Sequence, residues 1–263
     1  MPHWTLDSID WARFDAAKVD GDLLAVVKTA ALVEANAADY VAYLQSVFAG
    51  DADFMRDIEQ WGAEERQHGA ALARWAKLAE PGFNFAAALA TFQHGYHVPP
   101  GDAGSIRGSR AGELVARQVV ETGTSSFYSA LRDATREPVL HDIARRIAAD
   151  EFRHYALFAG HARRYAPLGR AEAARIALGR LVETGDDELG WAWYAANIAP
   201  GAPCEPRRHA RVHAALTARL YRRAHVVPAV RMLLRTVGLA PRGWLLHLAT
   251  LVFRGAIRWR MAA

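Results

Sequence analysis

The sequence predicts an all-α protein: two helical hairpins joined by one long crossover into a four-helix bundle, with additional C-terminal helices. Three observations carry this. Apolar residues recur at three- and four-residue spacing through most of the 263 residues, and strand-like alternation is scarce. Ala and Leu, both strong helix formers, are abundant. Clusters of Gly, Pro and Asp cut the chain into long segments rather than short ones.

The first predicted helix runs from Leu23 to Ala49 and ends at Gly50-Asp51. A second runs from Asp53 to Leu78 and ends at Glu80-Pro81-Gly82. Residues 80 to about 109 (PGFN, HVPPGDAG, RGSR) read as a long connection holding at most a short helix. Ser109 is a suitable N-cap for a third long helix to Ala134. Thr135-Arg136-Glu137-Pro138 breaks it, and Pro138 opens a fourth that reaches about Tyr165. Glu172 to Ile198 reads as a fifth. The remainder holds two or three shorter helices, interrupted at Pro228, Gly238 and Pro241. The expected division is a helical bundle over 1–200 and a basic helical extension over 201–263.

An apolar fraction of 52% with 23% charged residues can bury a core and excludes a disordered chain. Apolar stretches such as Leu248 to Phe253 are too short to span a bilayer. The first residues are acidic and polar where an export signal needs a basic start and an apolar run, so a reducing cytosol is the expected compartment. The single cysteine, Cys204, excludes an internal disulfide, an iron–sulfur cluster, a Cys-rich zinc site and a fused rubredoxin module. Charge is unevenly spread. From Pro203 to Ala263 there are 12 arginines and one acid, Glu205, a net +11. The other 20 bases and 27 acids leave the preceding part at −7. A basic tail of this kind, with apolar residues interleaved, suits an anionic membrane surface at the inner membrane face or an acidic carrier protein. Electrostatic packing on the acidic body is the third alternative. No recognisable nucleic-acid module is present.

Two of the 13 glutamates have a histidine three residues later: Glu65 with His68 and Glu151 with His154. On a helix, positions i and i+3 share a face, so each pair can grip one ion. Each preceding helix carries an acid in apolar surroundings, Glu34 and Glu121. Residues 34 and 65 are equidistant from the turn at Gly50, and 121 and 151 from the turn at Arg136. In antiparallel hairpins, equidistant residues lie at one height. Four carboxylates and two imidazoles are therefore expected at one level, the ligand set of di-iron carboxylate bundles. Four carboxylates offset the charge of two divalent ions, and oxygen donors with imidazole suit iron, with manganese also compatible.

At these residues the sequence resembles the ferritin-like di-iron carboxylate superfamily, and most of all the soluble acyl-carrier-protein desaturases. WGAEERQHG (61–69) resembles their W-x-A-E-E-x-x-H-G, and IAADEFRHY (147–155) their I-A-x-D-E-x-R-H. Glu121 followed by Thr124 matches their Glu-x-x-Thr. The resemblance covers roughly residues 25 to 165. It implies that Glu34, Glu65, His68, Glu121, Glu151 and His154 ligate two iron ions. It further implies that Thr124 relays protons at the oxygen-binding face, and that Asp150 orients an imidazole. Gln67 stands where the family has arginine, and the last 60 residues resemble nothing in it, which leaves the substrate open.

The expected function is an oxygen-dependent non-haem di-iron oxidoreductase acting on an apolar, by resemblance acyl, substrate. No G-x-G-x-x-G fingerprint is present, so electrons would come from a separate ferredoxin or reductase. The alternative is an iron-oxidising or peroxide-scavenging protein of the rubrerythrin or ferritin kind. A helical adaptor with a structural metal is a third reading, and a homodimer is compatible with all three. Trp61, Phe127, Tyr128, Tyr155 and Phe158 read as core packing, as do Tyr40 and Tyr43. His94 and His97 read as surface residues, and Cys204 as a free thiol.

Overall fold

Helix 1 of the first hairpin is broken where an unbroken run was expected. In this computed structural model, which describes residues 4–97, 104–183, 187–199 and 201–262 (259–262 by backbone alone), α1 spans Gly21–Ala35 and α2 spans Ala37–Val47. Asn36 separates them. It is fully buried, its backbone N–H is shared between the Leu32 and Val33 carbonyls, and its side-chain oxygen accepts from Gln93. An asparagine that bonds away from its own helix competes with the helical ladder. The return helix of the hairpin, α3 (Ala52–Ala79), is capped by Asp51, whose carboxylate accepts from Phe54 N. Lys28 meets Glu80 at 3.0 Å and Gly69 meets Ala35, so the two helices run antiparallel.

The crossover contains one short helix, α4 (Phe85–Gly95), and its HVPPGDAG turn lies largely outside the described residues. The second hairpin pairs α5 (Arg110–Ala134) with α6 (Pro138–Ala162). Ser109 caps α5 through Gly112 N, as its sequence position suggested. Glu137 caps α6 through Leu140 N, with Pro138 at its first turn, and α6 ends three residues before the expected Tyr165. α3 packs against α6 between the hairpins, and Tyr128 of α5 bonds to Glu34 of α1.

The expected fifth helix is two: α7 (Arg170–Glu183) and α8 (Glu188–Asn197), with 184–186 outside the described residues. α8 packs on α1 and α4 and turns Glu188 inward to Tyr40. The basic tail forms α9 (Pro206–Ala218), α10 (Arg223–Thr236) and α11 (Gly243–Ala262). Pro228 does not interrupt the tail; it lies inside α10, and the break falls at 219–222 instead. Gly238 and Gly243, both at positive φ, bracket the second break. α10 packs on α5 through Leu233, which joins Val115, Ala116 and Val119, and Tyr155 of α6 donates to Met232 O.

The described residues form helices and no strand. Two apolar clusters fill the hairpins. One joins Leu32, Leu72, Trp75, Leu131 and Ile143; the other joins Leu44, Phe54, Ile58, Leu114 and Phe158. Each large side chain buried here adds about 1.5–3 kcal/mol of hydrophobic stabilisation. On all four long helices the expected ligands fall between these two clusters.

Candidate metal centre

All six expected ligands meet in the interior. Glu34, Glu65, His68 and Glu151 each offer a donor atom within 4.8 Å of the others, and so do Glu65, Glu121, Glu151 and His154. Glu65 and Glu151 belong to both groups, so the two candidate ion positions share two carboxylates. All six side chains are buried. His68 Nδ1 stands 3.3 Å from Glu151 Oε1 and 3.7 Å from Glu34 Oε2. His154 Nδ1 stands 3.0 Å from Glu65 Oε1 and 3.7 Å from Glu121 Oε2. The two imidazole rings lie 5.8 Å apart.

Why the backbones come this close is visible at Gly69, the residue after His68. A methyl group there would sit 2.7 Å from Ala35 N and 3.0 Å from Ala31 O, so only glycine lets α3 approach α1 beside Glu34.

The outer nitrogen of each histidine is held by an acid from the opposite hairpin. His68 Nε2 lies 2.9 Å from Asp150 Oδ2, and His154 Nε2 lies 2.9 Å from Glu64 Oε2. An ionised carboxylate can only accept, so Nε2 carries the proton and Nδ1 is turned inward with its lone pair available once neutral. Asp150 also accepts from Trp4 Nε1 at 2.7 Å, and Trp4 stacks on His68 with an interplanar angle of 5°. Glu64 accepts from Gln60, and Arg153 reaches both acids. Burial works against the charge of Glu64 and Asp150, but the histidines and these donors outweigh it, and Glu64 is held down at about 2.

Inside the cluster the carboxylates divide: burial opposes the charge of Glu151, but His154 and His68 hold it well below the usual carboxylate range, while two of its neighbours are raised. Burial, with the charges of Glu151 and Glu34, pushes Glu65 well above the usual carboxylate range. Burial pushes Glu121 up to about 8. Burial opposes charging of His68 and His154, yet the carboxylates around each raise both well above an ordinary imidazole. Without a metal, protons supply the positive charge that four packed carboxylates require.

The donor set fits a cation. Glu65 Oε1, Glu121 Oε1, Glu151 Oε1, His68 Nδ1 and His154 Nδ1 are buried and make no aligned hydrogen bond, even where two of them lie 3.0 Å apart. Buried polar atoms are rarely left so. Oxygen-rich sites with imidazole favour iron or manganese over softer ions.

Thr124, expected near the oxygen face, donates from Oγ1 to Glu151 Oε2 at 2.5 Å. Asp150 sits as expected, although the imidazole it holds belongs to the other hairpin. Three residues were not singled out for these roles. Glu64 repeats the position of Asp150, one residue before a ligand, and that repeat was the available signal. Trp4 precedes every expected element. Tyr128 reads as core packing in the sequence, but its hydroxyl donates to Glu34 Oε1 at 2.5 Å. Trp61 and Phe158 are core residues as expected, and Cys204 is a free, half-buried thiol. No protein-family model matches the chain, and no curated protein matches it.

Proposed function

We propose that the chain is a ferritin-like, non-haem di-iron oxidoreductase that uses dioxygen on an apolar substrate, an acyl chain being the class its motifs favour. The observation that carries this reading is the sharing of Glu65 and Glu151 between two buried four-donor groups. Glu65 and Glu151 would hold two ions as neighbours, so that both could serve one small molecule. Bound ferrous iron would supply dioxygen activation and one-electron chemistry. The protein's own residues do the rest. Asp150 and Glu64 fix the imidazoles so that Nδ1 faces the ions. Tyr128 Oη holds Glu34, and Thr124 Oγ1 can pass a proton to or from Glu151 Oε2. The two apolar clusters exclude water on either side of the centre. Electrons come from a separate ferredoxin or reductase, since the chain carries no nucleotide fingerprint.

A second reading, iron oxidation or peroxide scavenging, draws on one observation. A groove of about 210 Å³ lined by Asp57, Gln60, Trp61, Glu64, Arg153, His154 and Leu157 reaches the outer edge of His154. A groove of that size, below the roughly 300–1,000 Å³ of drug-sized ligand pockets, suits a small ion or peroxide better than an acyl chain.

Anaerobic loading with ferrous iron, followed by metal analysis, tests the centre: two irons per folded chain are expected. Glu151→Ala and His68→Ala should each lose metal, while Glu172→Ala, exposed on α7, should not. One ion or none in folded wild-type protein, or equal iron in all three variants, overturns the di-iron assignment. Turnover of ferrous iron or peroxide without any apolar substrate would select the second reading.

A further inference from the structure

The tail's last helix has two apolar faces, and only one is used. On α11, Leu245, Leu246, Ala249, Phe253 and Ile257 pack on Val226, Val230 and Leu234 of α10. Trp244, Leu248, Leu251 and Val252 are 76%, 51%, 49% and 63% exposed. Their spacing of four, three and one residues places them on one stripe at 100° per residue, turned away from α10. Between the faces, along one edge of the stripe, stand His247, Arg254 and Arg258. No acid follows Glu205, and Arg222, Arg223, Arg231, Arg235 and Arg242 are exposed on the neighbouring segments. Among the described residues, the ion pairs of the tail's arginines are Arg208 with Glu205 and Arg219 with Asp22, neither of them on α11.

We propose that α11 is an interfacial anchor that lays this stripe on an anionic lipid surface. An apolar stripe edged by arginine, with no acid near it, complements an acyl–headgroup boundary carrying negative charge. Trp244 at the helix start suits the headgroup level, where an indole keeps its ring apolar and its N–H wet. No described helix is long and apolar enough to cross a membrane, so α11 lies on the surface rather than through it. A second copy of the chain is the poorer occupant. Pairing two such stripes would bury the apolar residues but bring no acid from the tail to the arginines that edge them, since none follows Glu205. An acidic protein would satisfy the arginines but not four large apolar side chains in a row. This inference is independent of the metal centre and holds whatever the centre catalyses.

The test is flotation of the full chain with phosphatidylcholine vesicles and with vesicles of phosphatidylcholine mixed with phosphatidylglycerol. The protein should float with the mixed vesicles only, and less so as salt rises, because screening shortens charge reach to about 8 Å at physiological ionic strength. Leu248→Ser with Leu251→Ser, and separately Arg254→Gln with Arg258→Gln, should each lower partitioning about tenfold or more. Leu178→Ser with Val182→Ser, an exposed apolar pair on α7, should leave it unchanged. Circular dichroism checks that each variant is folded, and the wild-type comparison stands even if one is not. Equal binding to both vesicle types, none to either, or indifference to the stripe substitutions overturns the proposal. So does vesicle-free dimerisation that the stripe substitutions abolish, or capture by an acidic carrier protein without lipid binding.

Discussion

Glu64 lies 2.9 Å from His154 although the two come from different hairpins, and Asp150 repeats the contact with His68 at the same distance. Each hairpin thus supplies its own Glu-x-x-His and, one residue earlier, the acid that orients the other hairpin's histidine. The crosswise contacts tie α3 to α6 and aim both imidazoles at the centre at once.

Replacing either acid by its amide should therefore weaken metal binding without unfolding the protein. For Glu64→Gln and Asp150→Asn, metal affinity should fall about 10- to 100-fold, because the amide no longer fixes the tautomer and orientation of the ring. Competition with a chelator reads the change. Affinity within twofold of wild type for both variants would show that the crosswise contacts are incidental to metal binding.

Gly69→Ala should destabilise the protein by about 1–3 kcal/mol, the usual cost of forcing a group into a packed contact. The added methyl meets the α1 backbone at Ala35 and Ala31, so relief requires α1 to move and carry Glu34 with it. Metal loading should fall together with the melting temperature. Gly123→Ala, on α5 with open space around it, is the matched control and should be neutral or slightly stabilising. Equal melting temperatures for the two variants would contradict the close approach.

Metal binding should release protons and strengthen as pH rises from about 6 to about 8. Ligation needs Glu121 as carboxylate and both Nδ1 atoms bare. The metal-free protein instead holds a proton on Glu121 up to about 8, and holds protons on both histidines well above the usual imidazole range. An ion must displace these protons, so acid competes with it. Calorimetry in buffers of different ionisation enthalpy measures the release directly. Binding that neither releases protons nor depends on pH would mean that the cluster is not the binding site.

Much of this architecture was legible in the chain. The extents of α3, α5 and α6, the cap at Ser109, the opening of α6 at Pro138 and the level of the six ligands follow from local rules. Helix periodicity and equal distance from a turn place residues on faces and at heights without any tertiary information. Asn36 breaks the first helix because its side chain bonds to Gln93 on α4. Pro228 is accommodated within α10, and the tail breaks instead at 219–222. At Asn36 the local propensity rule was overruled by what packs beside the residue; Pro228 lies exposed within α10, and nothing beside it explains why the helix continues through it.

The helical class, the six donors and their common level were already present in the order of residues, because spacing along a helix is a distance in space. Packing between the helices sets which acid serves which histidine, brings Trp4 and Tyr128 to the centre, and leaves one apolar face of α11 uncovered. Those are relations between residues up to 146 positions apart, and they exist only once α3 meets α6 and the N-terminal segment folds over both.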